Sequence, residues 1–151
     1  MTFIEEPRTP RPPAGFALFA LGFRPFYLLA GAFAALSVPA WVAQFGGWLP
    51  ANAFLDGPLW HAHEMLFGYA FAVITGFLFT AVRLWAGRPT PTGTALAAAA
   101  TLWLAARVLV LSPWPAAAAA ADASFALVVA IGIGRPLVAS GNRRNYFFVA
   151  L

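Results

Sequence analysis

Four long apolar stretches, separated by short segments that hold nearly all of the charge, constrain this chain more than any other feature. They run from about Phe26 to Phe45, Leu59 to Trp85, Gly93 to Leu111 and Pro115 to Val138. A helix needs about 20 consecutive apolar residues to cross the hydrocarbon core of a bilayer, and each stretch is near or above that length. Of the 151 residues, 62% are hydrophobic and 9% charged, with a mean hydropathy of +0.77, whereas soluble domains carry about 25% charged residues. A water-soluble fold of this size could not bury so much apolar surface. The sequence therefore predicts an all-α, polytopic transmembrane bundle. A flexible cytoplasmic tail is expected at 1–13 and a helical membrane domain over 14–151.

Local signals refine the spans. Pro25 falls near the first turn of the first helix, where proline is tolerated, and Pro39 is expected to kink it. Gly15 to Phe23 is apolar but too short to cross alone, so it lies in the interface or extends the first helix. The breaker-rich run Gly87-Arg88-Pro89-Thr90-Pro91-Thr92-Gly93 separates the second span from the third. The Ala116–Ala121 run favours helix. A fifth apolar segment starts at Tyr146, and the chain stops six residues into it, which suggests a truncated product or a fragment.

Arginine placement predicts orientation. All nine basic residues are arginine. Arg8, Arg11 and Arg24 precede the first span, Arg83 and Arg88 lie between the second and third, and Arg135, Arg143 and Arg144 close the fourth. The other two loops carry none. Basic residues collect on the cytoplasmic side, so the N-terminus and the Arg83–Arg88 loop are expected inside, and Asn52, Asp56 and Ser112 outside. The net charge of +4 does not indicate nucleic acid, because the arginines sit between apolar runs rather than on one basic face. The chain has no cysteine, which excludes disulfides, thiolate zinc sites and cysteine-ligated clusters. The N-terminus lacks the compact basic start and small-residue cleavage site of a signal peptide.

Ionisable side chains within the spans are costly in lipid and usually functional. At 1.5 Å per residue, Glu64, Arg107 and Asp122 lie about 6–10 Å inside the outer ends of three different helices. Their matching depths predict one polar cluster, with Arg107 paired to Asp122 or Glu64. The alternative is that Arg107 snorkels outward and Asp122 caps or wets a helix end.

The densest chemistry is Trp60-His61-Ala62-His63-Glu64-Met65, which holds both histidines and one of two methionines. Imidazole is a common metal and haem ligand, and methionine suits copper(I) or haem iron. The order is not that of a zinc protease. At 100° per residue, His61, Glu64, Met65, Gly68, Ala72, Thr75 and Gly76 share one small-residue face, while His63 points away with Phe67, Phe71, Ile74 and Phe77. A regular helix cannot offer both histidines to one ion. Either the helix begins after His63 or the two serve different partners, one of them merely hydrogen-bonding at the interface. Gly132-Ile133-Gly134 lacks the context of a dinucleotide site and is read as helix packing. Gly22-Phe23-Arg24-Pro25-Phe26 leaves two readings of Arg24, a contact with lipid phosphates or, preferred here, a plain anchor on the cytoplasmic side.

These stretches resemble the NnrS family of bacterial membrane proteins. The resemblance rests on Ala17-Leu18-Phe19-Ala20-Leu21-Gly22-Phe23-Arg24-Pro25-Phe26, on Trp60-His61-Ala62-His63-Glu64-Met65-Leu66-Phe67-Gly68, and on Thr75-Gly76-Phe77-Leu78 with Thr80-Ala81-Val82. Arg135-Pro136 and Asn142-Arg143-Arg144-Asn145 add to it. It implies a multi-pass protein of the bacterial inner membrane that contains haem and copper and serves the response to nitric oxide and nitrosative stress. On that basis His61, His63 and Met65 are the implied cofactor-binding residues, and His61, His63 and Glu64 the implied metal ligands. Members of the family are several-fold longer, so a further membrane chain or later helices are implied as partners. Two readings of other classes remain open: a proton or ion pathway, or small transporter subunit, built on Glu64, Arg107 and Asp122, and a structural membrane subunit whose charges only fix helix packing.

Overall fold

The computed structural model describes residues 17–50 and 54–149. The expected tail at 1–13, Asn52 and the last two residues lie outside that range. Among the described residues all regular structure is helical, and four helices are long and apolar enough to span a membrane. They are α1 (Phe23–Phe45), α2 (Gly57–Ala86), α3 (Gly93–Val110) and α4 (Pro115–Ala139). A short 3-10 turn, Ala17–Ala20, precedes α1, and a 3-10 segment, Arg143–Val149, follows α4.

Each boundary has a chemical cause. Pro25 occupies the first turn of α1, and the Phe23 amide, which has no intrahelical acceptor there, donates to Thr80 Oγ1 at 3.1 Å. The Ala17–Ala20 turn does not merge with α1; Arg24 folds back and donates to the Ala17 carbonyl at 2.8 Å. The helix α1 runs on through Pro39, which lies inside it. Asp56 caps α2 by accepting from the Leu59 amide at 3.0 Å, with Pro58 in the first turn. Gly87 ends α2 at φ +59°, a left-handed conformation that suits glycine. The buried Thr90 hydroxyl then ties the α2–α3 connection to the Phe79 carbonyl. Between α3 and α4 the turn is tight, and the Ser112 hydroxyl donates to the Leu109 carbonyl at 2.6 Å.

The core is built from the inner faces of all four helices: Phe26 and Ala30 of α1, Ala72, Leu78, Phe79 and Val82 of α2, Leu96, Ala99 and Trp103 of α3, and Phe125, Val129, Ile133 and Leu137 of α4. Phe26 meets Phe79 and Phe125, and Phe33 meets Trp103 edge-on at 5.5 Å. Glycines allow the closest approaches: a Cβ on Gly22 would stand 2.4 Å from that of Phe79, and one on Gly132 would stand 2.8 Å from the Phe79 ring. Gly132 is thus a packing residue of α4. The outward faces carry Leu28, Leu36, Leu84, Val108, Leu127 and Val138, all well exposed. In water this coat would be an aggregation surface; in lipid it is the solvated surface. The segment beginning at Tyr146 lies within the Arg143–Val149 turn, packed on α4 and stacked through Phe148 on Trp85 at 5.3 Å.

One feature of α2 departs from a regular helix. Residues Glu64–Ala70 form a π-helix between α-helical flanks Gly57–His63 and Phe71–Ala86. Insertions of this type widen a turn and occur often at functional sites. With 30 residues, α2 is about 45 Å long, against a hydrocarbon thickness of about 30 Å. Its ends therefore reach the interfaces, and the widened turn begins about two turns from the arginine-free end.

Candidate functional site

The π-turn sets Glu64 and Gly68 inward, and both are buried. Glu64 is only 1% exposed. Gly68 leaves the space that the site needs: a Cβ there would stand 2.4 Å from Phe33 Cε1 and 2.9 Å from Glu64 Oε2. The Trp103 indole N–H donates to the Gly68 carbonyl at 3.1 Å, which fixes α3 against the widened turn.

Four residues after Trp103, and so on the same face of α3, Arg107 points into the bundle. One of its terminal nitrogens donates to both Glu64 carboxylate oxygens, at 2.9 and 3.0 Å. The other donates to Asp122 Oδ1 on α4. The guanidinium carbon also lies 5.9 Å from the centre of the Trp103 ring. Arg107 is 6% exposed and Asp122 9%. Asp122 sits about one turn deeper than Arg107 from their shared end, and the long arginine side chain makes up the difference. Arg107 therefore turns inward rather than snorkelling, and Asp122 faces the same cluster rather than a helix end.

His63 joins the same group. Its Nδ1 lies 3.0 Å from Glu64 Oε1, and its Nε2 lies 3.4 Å from Asp122 Oδ2. Its ring also packs on Phe67 at 4.8 Å. His61 belongs elsewhere. Its ring stacks on Trp41 of α1, with centroids 4.1 Å apart and planes 17° apart. Its Nδ1 is buried and has no hydrogen-bond partner among the described residues. The two histidines thus have different neighbours. Met65 is partly exposed and takes no part in the ion pairs.

Chemically, the cluster is one guanidinium facing two carboxylates, with an imidazole bridging those carboxylates. In the low-dielectric interior such charges persist only when paired and hydrogen-bonded. The arrangement ties α2, α3 and α4 together, and it gives exchangeable protons a connected set of acceptors. As metal ligands the same atoms are committed: among the described residues no group of three or more His, Asp or Glu side chains could hold a metal ion. Among the described residues, the buried imidazole nitrogen without a hydrogen-bond partner is Nδ1 of His61.

Two participants were not legible as site residues. Trp103 carried a usable signal, its position one turn before Arg107. Trp41 carried none, because its contact with His61 depends on how α1 packs against α2.

A multi-span helical membrane protein with a buried Glu–Arg–Asp cluster, joined by a half-buried histidine, near the end whose connections carry no arginine is the class defined by this fold and site. The family described as NnrS protein matches residues 17–151, and the chain belongs to that family. No curated protein and no solved structure matches it.

Proposed function

We propose that this protein resides in the bacterial cytoplasmic membrane, holds haem or copper near the outer face of the bundle, and takes part in the response to nitric oxide. Membership of the NnrS family supports the reading. The observation that carries it at the site is the buried Nδ1 of His61, which has no hydrogen-bond partner among the described residues. A buried polar atom normally has a partner, and a metal is a partner of the right kind for a neutral imidazole.

His61 is the candidate donor for a single-imidazole attachment, and the described residues do not by themselves make a complete multi-ligand centre. Trp41, stacked on the ring, holds His61 in one orientation. Bound haem iron or copper would supply the open coordination position for nitric oxide. His63 has both nitrogens turned to carboxylates, so its part is to brace the cluster; it would have to leave them before it could ligate. Glu64 is held by Arg107 and supports the same turn of α2 from which His61 projects. A further membrane chain, or helices beyond this chain, would provide the remaining ligands.

The test is an optical spectrum and metal content of the purified protein. His61→Ala should abolish the Soret band or the stoichiometric copper, and His63→Ala should retain most of it. A band unchanged in the His61→Ala, His63→Ala double variant eliminates the ligand role.

One observation favours a second reading, a proton pathway. His63 connects Glu64 and Asp122, so a proton can pass between the carboxylates of two helices. On that reading the protein would contain neither iron nor copper at stoichiometric level, and proton uptake into vesicles would fall in Glu64→Gln.

A further inference from the structure

Between the middle of the bundle and its arginine-rich end, two cavities meet. The first is an apolar groove of about 360 Å³ between α2 and α4. Its walls include Phe71, Ile74 and Leu78 on one side and Val129, Ala130 and Ile133 on the other, and Phe148 closes it. Seven residues along either helix give it a length of about 10 Å, parallel to the helix axes. The second is a polar cleft formed by Trp85, Asn142, Arg144 and Asn145, with Phe148 again in its wall. Phe148 is therefore the shared lip, and its stacking on Trp85 holds it there.

The cleft pairs polar groups with the aromatic rings of Trp85, Phe147 and Phe148. Asn142 donates to the Trp85 carbonyl at 3.1 Å, and Asn145 donates to the Asn142 side-chain oxygen at 3.2 Å. Arg143 and Arg144 are exposed, and neither enters any ion pair among the described residues. Arg83 and Arg135 add positive charge at the same end, with no acidic residue between 123 and 151 to offset it.

We infer that this is a binding site for one anionic phospholipid, the phosphate headgroup held at Arg144 and the Asn142–Asn145 pair and one acyl chain lying in the groove between α2 and α4. The charge and the groove fit this occupant jointly. A basic cleft at the cytoplasmic interface attracts anionic headgroups, an indole ring suits the headgroup level, and the groove opens toward lipid along the direction an acyl chain takes. A zwitterionic lipid would satisfy the groove but not the arginines, and free phosphate would satisfy the arginines but not the groove. The inference is independent of any metal or haem at His61.

The test is titration of the full chain in detergent micelles, read as the melting midpoint and as an apparent Kd. The probes are phosphatidylglycerol, phosphatidylcholine with the same acyl chains, and inorganic phosphate. Phosphatidylglycerol should bind about tenfold more tightly than phosphatidylcholine, and phosphate alone should give no shift. Arg144→Gln, at an exposed position that should not disturb folding, is expected to weaken phosphatidylglycerol about fivefold, with Arg144→Lys retaining most of the affinity. Ala130→Phe, filling the groove, should weaken binding of both lipids, provided its lipid-free melting transition remains intact; Arg144→Gln decides the outcome if it does not. Equal affinity for the two lipids, an equal shift with phosphate alone, or undiminished phosphatidylglycerol binding in Arg144→Gln would each overturn the inference.

Discussion

At Arg107 one guanidinium serves two carboxylates from two other helices, and the pairing is nearly sealed from solvent. Removing that charge leaves Glu64 and Asp122 facing each other in a low-dielectric interior. Breaking a buried pair by deleting one partner costs about 3–5 kcal/mol, whereas replacing a whole buried ionic group by neutral side chains of similar volume is often far milder. Arg107→Met should therefore destabilise the bundle by about that amount, measured by denaturant unfolding in micelles. The triple variant with Glu64→Gln and Asp122→Asn should recover most of the loss. A triple variant as unstable as Arg107→Met alone would mean that shape, and not charge balance, holds these helices together.

Within α2, the departure from regular helix is supported by a missing side chain. Gly68 lets the Phe33 ring and the Glu64 carboxylate occupy space that any Cβ would claim. Gly68→Ala should cost about 1–3 kcal/mol through overpacking. Combining it with Phe33→Leu should show a coupling of about 0.5 kcal/mol or more in a double-mutant cycle, because the two positions are in contact. Strict additivity would place the cost of the alanine elsewhere. The hydrogen bond from Trp103 to the Gly68 carbonyl belongs to the same joint, and Trp103→Phe should remove about 0.5–1.5 kcal/mol by the same unfolding measurement.

For the molecule as a whole, the helix ends sort by charge. Arg24, Arg83, Arg88, Arg135, Arg143 and Arg144 fall at one end, and the α1–α2 and α3–α4 connections at the other carry no arginine. With the proposed residence in the cytoplasmic membrane, the positive-inside rule predicts that Asp56, His61 and His63 face the periplasm. A reporter active only outside the cytoplasm and fused beside Asp56 should be active, and the same reporter in the Arg83–Arg88 connection should be silent. The reverse pattern would put the histidines on the cytoplasmic side and remove the outer-face reading of the site.

Hydropathy by itself determined the membrane class and all four helices, because a span must be continuously apolar over a fixed thickness and that condition is local in sequence. The observed bounds shift by only a few residues: α1 starts at Phe23 rather than near Phe26, since the Thr80 hydroxyl accepts the Phe23 amide. Depth counting also brought Glu64, Arg107 and Asp122 to one level, because rise per residue is fixed along a helix. Which way those side chains turn was a different matter. The π-turn at Glu64–Ala70, the capture of His63 by two carboxylates, the Trp41 stack on His61 and the union of the two cavities at Phe148 all depend on contacts between helices. Such contacts join residues far apart in the chain, through rotations and close approaches that no pattern within one helix records, and only the tertiary structure decided them.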